Sequence, residues 1–232
     1  MKPYQQVTIE ECGEPLARIP ADSFSLVSPH PYEALGAPYG NLSPYFLRQG
    51  VLDKLHQAQA HLQALRPGWQ FQIFDAYRPV AVQQFMVDHT FEQLRQKQGL
   101  PTDALSDTQR AELQAQVFQF WAAPSLSLAT PPPHSTGAAV DLTLVDEQGQ
   151  SVDMGGAIDE ISPRSYPNHY ADSTAPDAQQ YHAHRCLLGE AMRFAGFRQH
   201  PNEWWHFSQG DQLWAWQSGL GTAACYGRVP IA

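Results

Sequence analysis

Two short runs carry residues that could perform metal-assisted hydrolysis. The first is Pro131-Pro132-Pro133-His134-Ser135-Thr136-Gly137-Ala138-Ala139-Val140-Asp141-Leu142, and the second is Glu203-Trp204-Trp205-His206-Phe207. Between them they offer two imidazoles, His134 and His206, one carboxylate ligand, Asp141, and a spare carboxylate, Glu203. Imidazole nitrogen and carboxylate oxygen are ordinary zinc donors, and three protein ligands leave a fourth position for a water whose pKa falls to about 7. The expectation is therefore one Zn2+ per chain, with Glu203 moving protons beside it.

Such a site needs elements that bring the two runs together. Three prolines cannot continue a helix or donate to a sheet ladder, so they deliver His134 at the entrance of an element, and Gly137 permits a tight backbone there. From Ala138 the pattern alternates, Val140, Leu142 and Leu144 on one face and Ala139, Asp141 and Thr143 on the other, which predicts a strand over 138–145. Asp146-Glu147-Gln148-Gly149 is turn chemistry, and Ser151-Val152-Asp153 reads as a return strand completing a hairpin. In the second run, residues i and i+3 of a regular strand face opposite ways, so Glu203 and His206 can share a cavity only if the chain bends near Trp204. The bland alternative is a carboxylate at a turn and a half-buried histidine on an aromatic strand.

Residues 1–49 show little periodicity and read as an irregular wrap with one or two edge strands. A helix follows, with Val51, Leu52, Leu55, Ala58, Leu62 and Leu65 on one stripe and Pro67-Gly68 as its stop. Trp69, Phe71 and Ile73 alternate with polar neighbours in a strand running into Asp75-Ala76-Tyr77-Arg78-Pro79, after which a helix is expected over 80–97. Arg78 would occupy the strand-to-helix corner, either lining a site or simply paired with Asp75. Ser106-Asp107-Thr108-Gln109 reads as a capping box opening a helix whose apolar face includes Leu113, Val117, Phe120 and Trp121, with a polar loop over 98–105 before it. Ala178 to Phe194 carries a last helical pattern ended by Gly196.

With 232 residues, 43% of them hydrophobic, the chain can bury one substantial core, so a single domain is expected. The balance of 14 Lys and Arg against 23 Asp and Glu gives a formal net charge of -9, which argues against nucleic acid or an anionic membrane as partner. Cys12, Cys186 and Cys225 are far apart, which fits a reducing compartment, and no run has signal-peptide or membrane-spanning character. A soluble cytoplasmic protein is the expectation.

The motifs keep recognisable company. His134-Ser-Thr-Gly137-Ala-Ala139-Val-Asp141 resembles the S-x-H-x-x-G-x-A-x-D motif of the zinc D-alanyl-D-alanine dipeptidases of the VanX type, and Glu203-Trp204-Trp205-His206 resembles that family's E-x-x-H. Asp75-Ala76-Tyr77-Arg78-Pro79 looks like its D-G-Y-R-P segment, and Met154-Gly155-Gly156-Ala157-Ile158-Asp159 like its M-G-x-x-F-D loop. The resemblance implies a small α+β domain with a central antiparallel sheet, helices packed on one side and the zinc site on the open face. In this picture 1–49 is the wrap, 50–207 the catalytic core and 208–232 a C-terminal tail.

It further implies that His134, Asp141 and His206 bind zinc, that Glu203 is general base and then acid, and that Arg78 stabilises the oxyanion. Asp159 would hold the substrate ammonium, and Tyr39 would correspond to a tyrosine that helps bind it. Pro132 stands where the family has a serine. The implied reaction is hydrolysis of the small dipeptide D-Ala-D-Ala. The alternatives are a carboxypeptidase or endopeptidase acting on murein stem peptides, and a non-catalytic zinc-binding module like the related domain of hedgehog-type proteins.

Overall fold

The alternation around Asp141 does become the centre of a sheet. A computed structural model describes residues 2–101 and 104–229; Met1, Thr102 and Asp103 of the 98–105 loop, and 230–232 of the tail lie outside the described residues. The strands are β1 (Leu16–Arg18), β2 (Ser25–Leu26), β3 (Phe46–Arg48), β4 (Gln70–Asp75), β5 (Ala139–Val145), β6 (Arg198–Gln199) and β7 (His206–Ser208). The helices are α1 (Pro31–Ala34), α2 (Gln49–Leu65), α3 (Val80–Lys97), α4 (Asp107–Phe120), α5 (Pro176–Phe194) and α6 (Gln212–Ser218). Strands β1 and β3 form a small antiparallel pair, and the main sheet has the order β2-β4-β5-β7-β6. It is antiparallel except at one edge, where β2 runs parallel to β4, so the sheet is mixed rather than wholly antiparallel.

Phe71 and Ile73 of β4 and Val140, Leu142 and Leu144 of β5 put their side chains on one face, where Val51, Leu55 and Leu62 of α2 and Leu188 and Met192 of α5 cover them. That is the helix-covered side, and it holds the main core. Phe74, of opposite parity on β4, packs into a smaller cluster with Tyr32, Tyr39, Val82, Met86, Val117 and Trp121, so α3 and α4 flank the other face without closing it. Phe194, part of the expected apolar stripe, is 64% exposed and stacks on His61, while Met192 and Ala195 on either side of it keep to the core.

The hairpin after β5 shrinks to a single bridge, Val145 to Ser151. Val152 N still bonds Leu144 O, but Met154 leads into Gly155, whose φ of 74° turns the chain out of the sheet plane. A Cβ on Gly155 would lie 2.4 Å from Tyr181 and 2.6 Å from Tyr170, so this exit needs a glycine for space as well as for φ. The segment that leaves the sheet is the one that carries Asp159.

Candidate active site

Strand pairing places the first two candidate ligands. Asp141 of β5 lies directly opposite His206 of β7, and opposed residues in an antiparallel pair project to the same face. The result is a 2.9 Å contact between His206 Nδ1 and Asp141 Oδ1. His134 arrives from the side, in a 3-10 turn over Pro133–Thr136 ended by Gly137 at φ 71°. A Cβ on Gly137 would sit 2.5 Å from Leu16 Cδ2, and its carbonyl accepts from Arg48 N at 2.8 Å, so the turn is locked against β3.

The outer nitrogens of both histidines are occupied. His134 Nδ1 donates to the Ala76 carbonyl at 2.7 Å, and His206 Nε2 faces Ser208 Oγ at 3.4 Å, whose own hydroxyl donates to Asp211 Oδ2 at 2.9 Å. With the ring protons on these outer nitrogens, the inner nitrogens, His134 Nε2 and His206 Nδ1, present lone pairs to each other 3.1 Å apart. Asp141 Oδ2 is 3.2 Å from His134 Nε2. In that tautomer the three facing electron-pair donors share no proton, and a cation between them satisfies all three. Tetrahedral zinc with bonds of about 2.0–2.2 Å spaces its ligands roughly 3.3–3.5 Å apart, close to these separations. The donor set fits a divalent metal.

Glu203 stands beside the trio and outside it. The turn at Pro201-Asn202 and the bends at Trp204 and Trp205 let it face the same cavity as His206, with Oε2 3.8 Å from His206 Nδ1 and Oε1 3.5 Å from His200 Nδ1. Trp204 N bonds Ser165 O at 2.9 Å and Gln199 Nε2 bonds Trp204 O at 2.7 Å, which fixes the bend from two sides. Burial pushes the Glu203 carboxyl well above the ordinary carboxylate range, and the charges of Asp141 and Asp159 push it further, against Lys2 and Arg78. Asp141 moves the other way, because His134 and His206 outweigh the effect of burial.

Arg78 owes its position to a bulge. Between Ile73 and Asp75 the register slips, so that Asp75 rather than Phe74 opposes Asp141 and turns onto the open face. The Asp75 carboxylate takes Arg78 Nε at 2.9 Å and Nη2 at 2.7 Å, while Arg78 Nη1 donates to Gln83 Oε1 at 3.0 Å. Arg78 Nη2 also lies 3.3 Å from Asp141 Oδ2 and 3.3 Å from Tyr32 Oη, at the edge of the metal trio. Both sequence alternatives for Arg78 therefore hold together: it is paired with Asp75 and it lines the cavity.

Asp159 sits in the left-handed region at φ 64° and accepts a 2.6 Å hydrogen bond from Tyr32 Oη. Burial, then the neighbouring Asp141, raises its carboxyl to about 6, against Arg78 and the Tyr32 hydrogen bond. Tyr39 lies elsewhere than expected: its hydroxyl donates to Asp75 Oδ1 at 3.0 Å behind Arg78, and it does not line the cavity. Helix α1 explains the exchange, since its buried cap His30 accepts from Glu33 N and aims Tyr32 at the loop instead.

The cavity wall adds Lys2, Tyr4, Phe120, Trp121, His200 and Trp205 to the residues above. Sequence reasoning missed Tyr32, His200 and Lys2, which lie in stretches without periodicity. It also missed Arg185, whose Nε bonds Met154 O at 2.7 Å and Nη1 bonds Tyr166 O at 2.9 Å, pinning both ends of the Asp159 loop. A signal existed, because an arginine four residues after Tyr181 and three before Leu188 interrupts an apolar stripe.

The family model Peptidase_M15, described as D-ala-D-ala dipeptidase, matches residues 26–220. This chain belongs to that family. The D-alanyl-D-alanine dipeptidase of Synechocystis sp. is 52% identical over 240 residues, covering 99% of this chain and 97% of that protein. The D-alanyl-D-alanine dipeptidase of Enterococcus faecalis is 30% identical over 162 residues, covering 68% of this chain and 70% of that one. A solved structure of VanYB in complex with D-Alanine-D-Alanine aligns at TM-score 0.47 and 17% identity, over 78% of this chain and 83% of that chain. In this M15 member the blocks that carried the resemblance all reach one cavity.

Proposed function

We propose that the protein hydrolyses the free dipeptide D-Ala-D-Ala to two D-alanines, with one zinc ion per chain held by His134, Asp141 and His206. The observation that carries this reading is the trio of lone-pair donors separated by 2.9 to 3.2 Å next to a buried carboxylate that is not one of them. When bound, the ion supplies Lewis acidity to the scissile carbonyl and lowers the pKa of water. Near-complete overlap with a dipeptidase at 52% identity supports the substrate.

The remaining work falls to this chain's own side chains. Glu203 takes a proton at a carboxylate oxygen and returns it to the leaving amine, a role that suits a carboxyl whose affinity for protons burial has increased. Arg78 Nη2, held at the edge of the trio by Asp75, donates toward the oxygen on which negative charge develops. Asp159, with Tyr32 behind it, receives the substrate ammonium. Burial of that charge pair makes an acylated amine costly, because Asp159 would be left without its cation. Three cysteines that remain free thiols support placing the reaction in the cytoplasm. Among the described residues no helix is long and apolar enough to cross a membrane.

The direct test compares D-Ala-D-Ala, its N-acetyl derivative and a stem pentapeptide, each with and without chelator. Cleavage of the free dipeptide alone, abolished by chelator, is expected; cleavage of the capped or longer peptide would favour a carboxypeptidase or endopeptidase. Glu203→Ala should retain metal and lose on the order of 10²–10⁴ in turnover, and unchanged turnover would remove Glu203 from its role.

A further inference from the structure

The charges around the cavity leave one substrate group without a partner. A free dipeptide carries a cation at one end and an anion at the other, and an extended pair of residues spans about 7 Å. Asp141, Asp159 and Glu203 in the wall are all acidic, and the cations in the wall are Arg78 and Lys2. Arg78 is held by Asp75 and Gln83, and the reaction assigns its Nη2, beside Asp141, to the oxyanion. Pro133, also in the wall, has no N–H to offer. Resting on the dipeptidase reading, we propose that Lys2 receives the substrate's C-terminal carboxylate and makes the enzyme selective for a free C-terminus.

Its place in the cavity suits that role. Contacts run from Asp159 through Tyr32 and Arg78 to Asp141, across to His206 and on to Glu203. Lys2 lies in the same wall beside Glu203, with which it interacts electrostatically, while Asp159 is tied to Tyr32. A dipeptide with its ammonium at Asp159 and its peptide carbonyl at the trio directs its carboxylate there. Among the described residues no carboxylate lies within ion-pair distance of the Lys2 ammonium, although the side chain is half-buried. Burial pushes that ammonium below the ordinary lysine value, opposed by Glu203, so an arriving carboxylate would compensate a charge that is only partly solvated.

The segment that carries Lys2 is fastened down. Lys2 N bonds Gln5 Oε1 at 2.8 Å, Tyr4 is buried in the cavity wall, and Gln212 of α6 donates to Val7 O at 2.7 Å. Ile9 bridges to Ala224, and Cys12 N bonds Cys225 O at 3.0 Å. The lysine is therefore presented by a turn docked on the C-terminal helix.

The test measures kcat and KM for D-Ala-D-Ala and for D-alanyl-D-alaninamide, which lacks the negative charge, with wild type, Lys2→Met and Lys2→Arg. A charge-assisted hydrogen bond of ordinary strength predicts that wild type prefers the acid by roughly 10–100-fold in kcat/KM, mostly through KM. In Lys2→Met that preference should collapse to within about twofold, and Lys2→Arg should restore most of it. A preference that survives in Lys2→Met, or an equal loss on acid and amide with a displaced pH profile, would show that Lys2 serves Glu203 or the fold instead. A wild type inactive on both compounds would sink the dipeptidase reading itself, an outcome distinct from an active enzyme indifferent to Lys2.

Discussion

Burial has raised the Asp159 carboxyl, proposed above to receive the substrate ammonium, to about 6. Above that value it is ionised and attracts an ammonium; below it the group is neutral and the attraction is lost, so KM for the dipeptide should rise as pH falls through 6. Asp159→Asn should raise KM throughout and flatten its acid dependence, as steady-state kinetics between pH 5 and 8 would reveal; a variant with wild-type KM would dissociate Asp159 from the substrate amine. Arg78 has a second duty that its motif alone does not disclose. Removing it strands the fully buried Asp75, so Arg78→Ala should lose about 3–5 kcal/mol in urea unfolding as well as roughly 10²–10³ in kcat. Arg78→Lys, which keeps the charge without the fork, should recover stability more than turnover. An alanine variant as stable as wild type would mean that His30, 3.2 Å from Asp75 on the other side, suffices for that carboxylate.

Among the elements, legibility followed periodicity. The strand bearing Asp141 and the helices now seen at Gln49–Leu65, Val80–Lys97 and Asp107–Phe120 were readable because their apolar spacing or capping residues are local signals. The bend at Trp204 was readable because His206 and Glu203 could not otherwise meet. The bulge before Asp75 was not, since nothing local distinguishes Phe74 as the extra residue, and it decides which face Asp75 joins. The exchange of Tyr39 for Tyr32 was equally hidden, because a four-residue helix capped by His30 leaves no periodic trace. Arg185 joins helix and loop: through Met154 O and Tyr166 O it holds the ends of the segment bearing the left-handed Asp159. Arg185→Met should speed amide exchange across 154–166 and raise KM more than it lowers kcat. Unaltered exchange there would show that the Ser165 tie to Trp204 holds the loop unaided.

Across the whole molecule, contacts distant in sequence complete the site. The N-terminal wrap reaches the cavity through Lys2 and Tyr4 while its later residues bind the C-terminal segment at Ala224 and Cys225. Strand pairing across β4, β5 and β7 then sets Asp75, Asp141 and His206 side by side on the face that α2 and α5 leave open. Local spacing suggested which residues could be ligands, but it takes this pairing, together with the turn that carries His134, to bring their donor atoms side by side. Anomalous diffraction at the zinc edge from crystals of the metal-loaded protein tests that claim most directly. One strong peak is expected about 2.0–2.2 Å from His134 Nε2, an Asp141 oxygen and His206 Nδ1, with Glu203 outside bonding distance. A peak that binds Glu203, or that lies away from this trio, would contradict it.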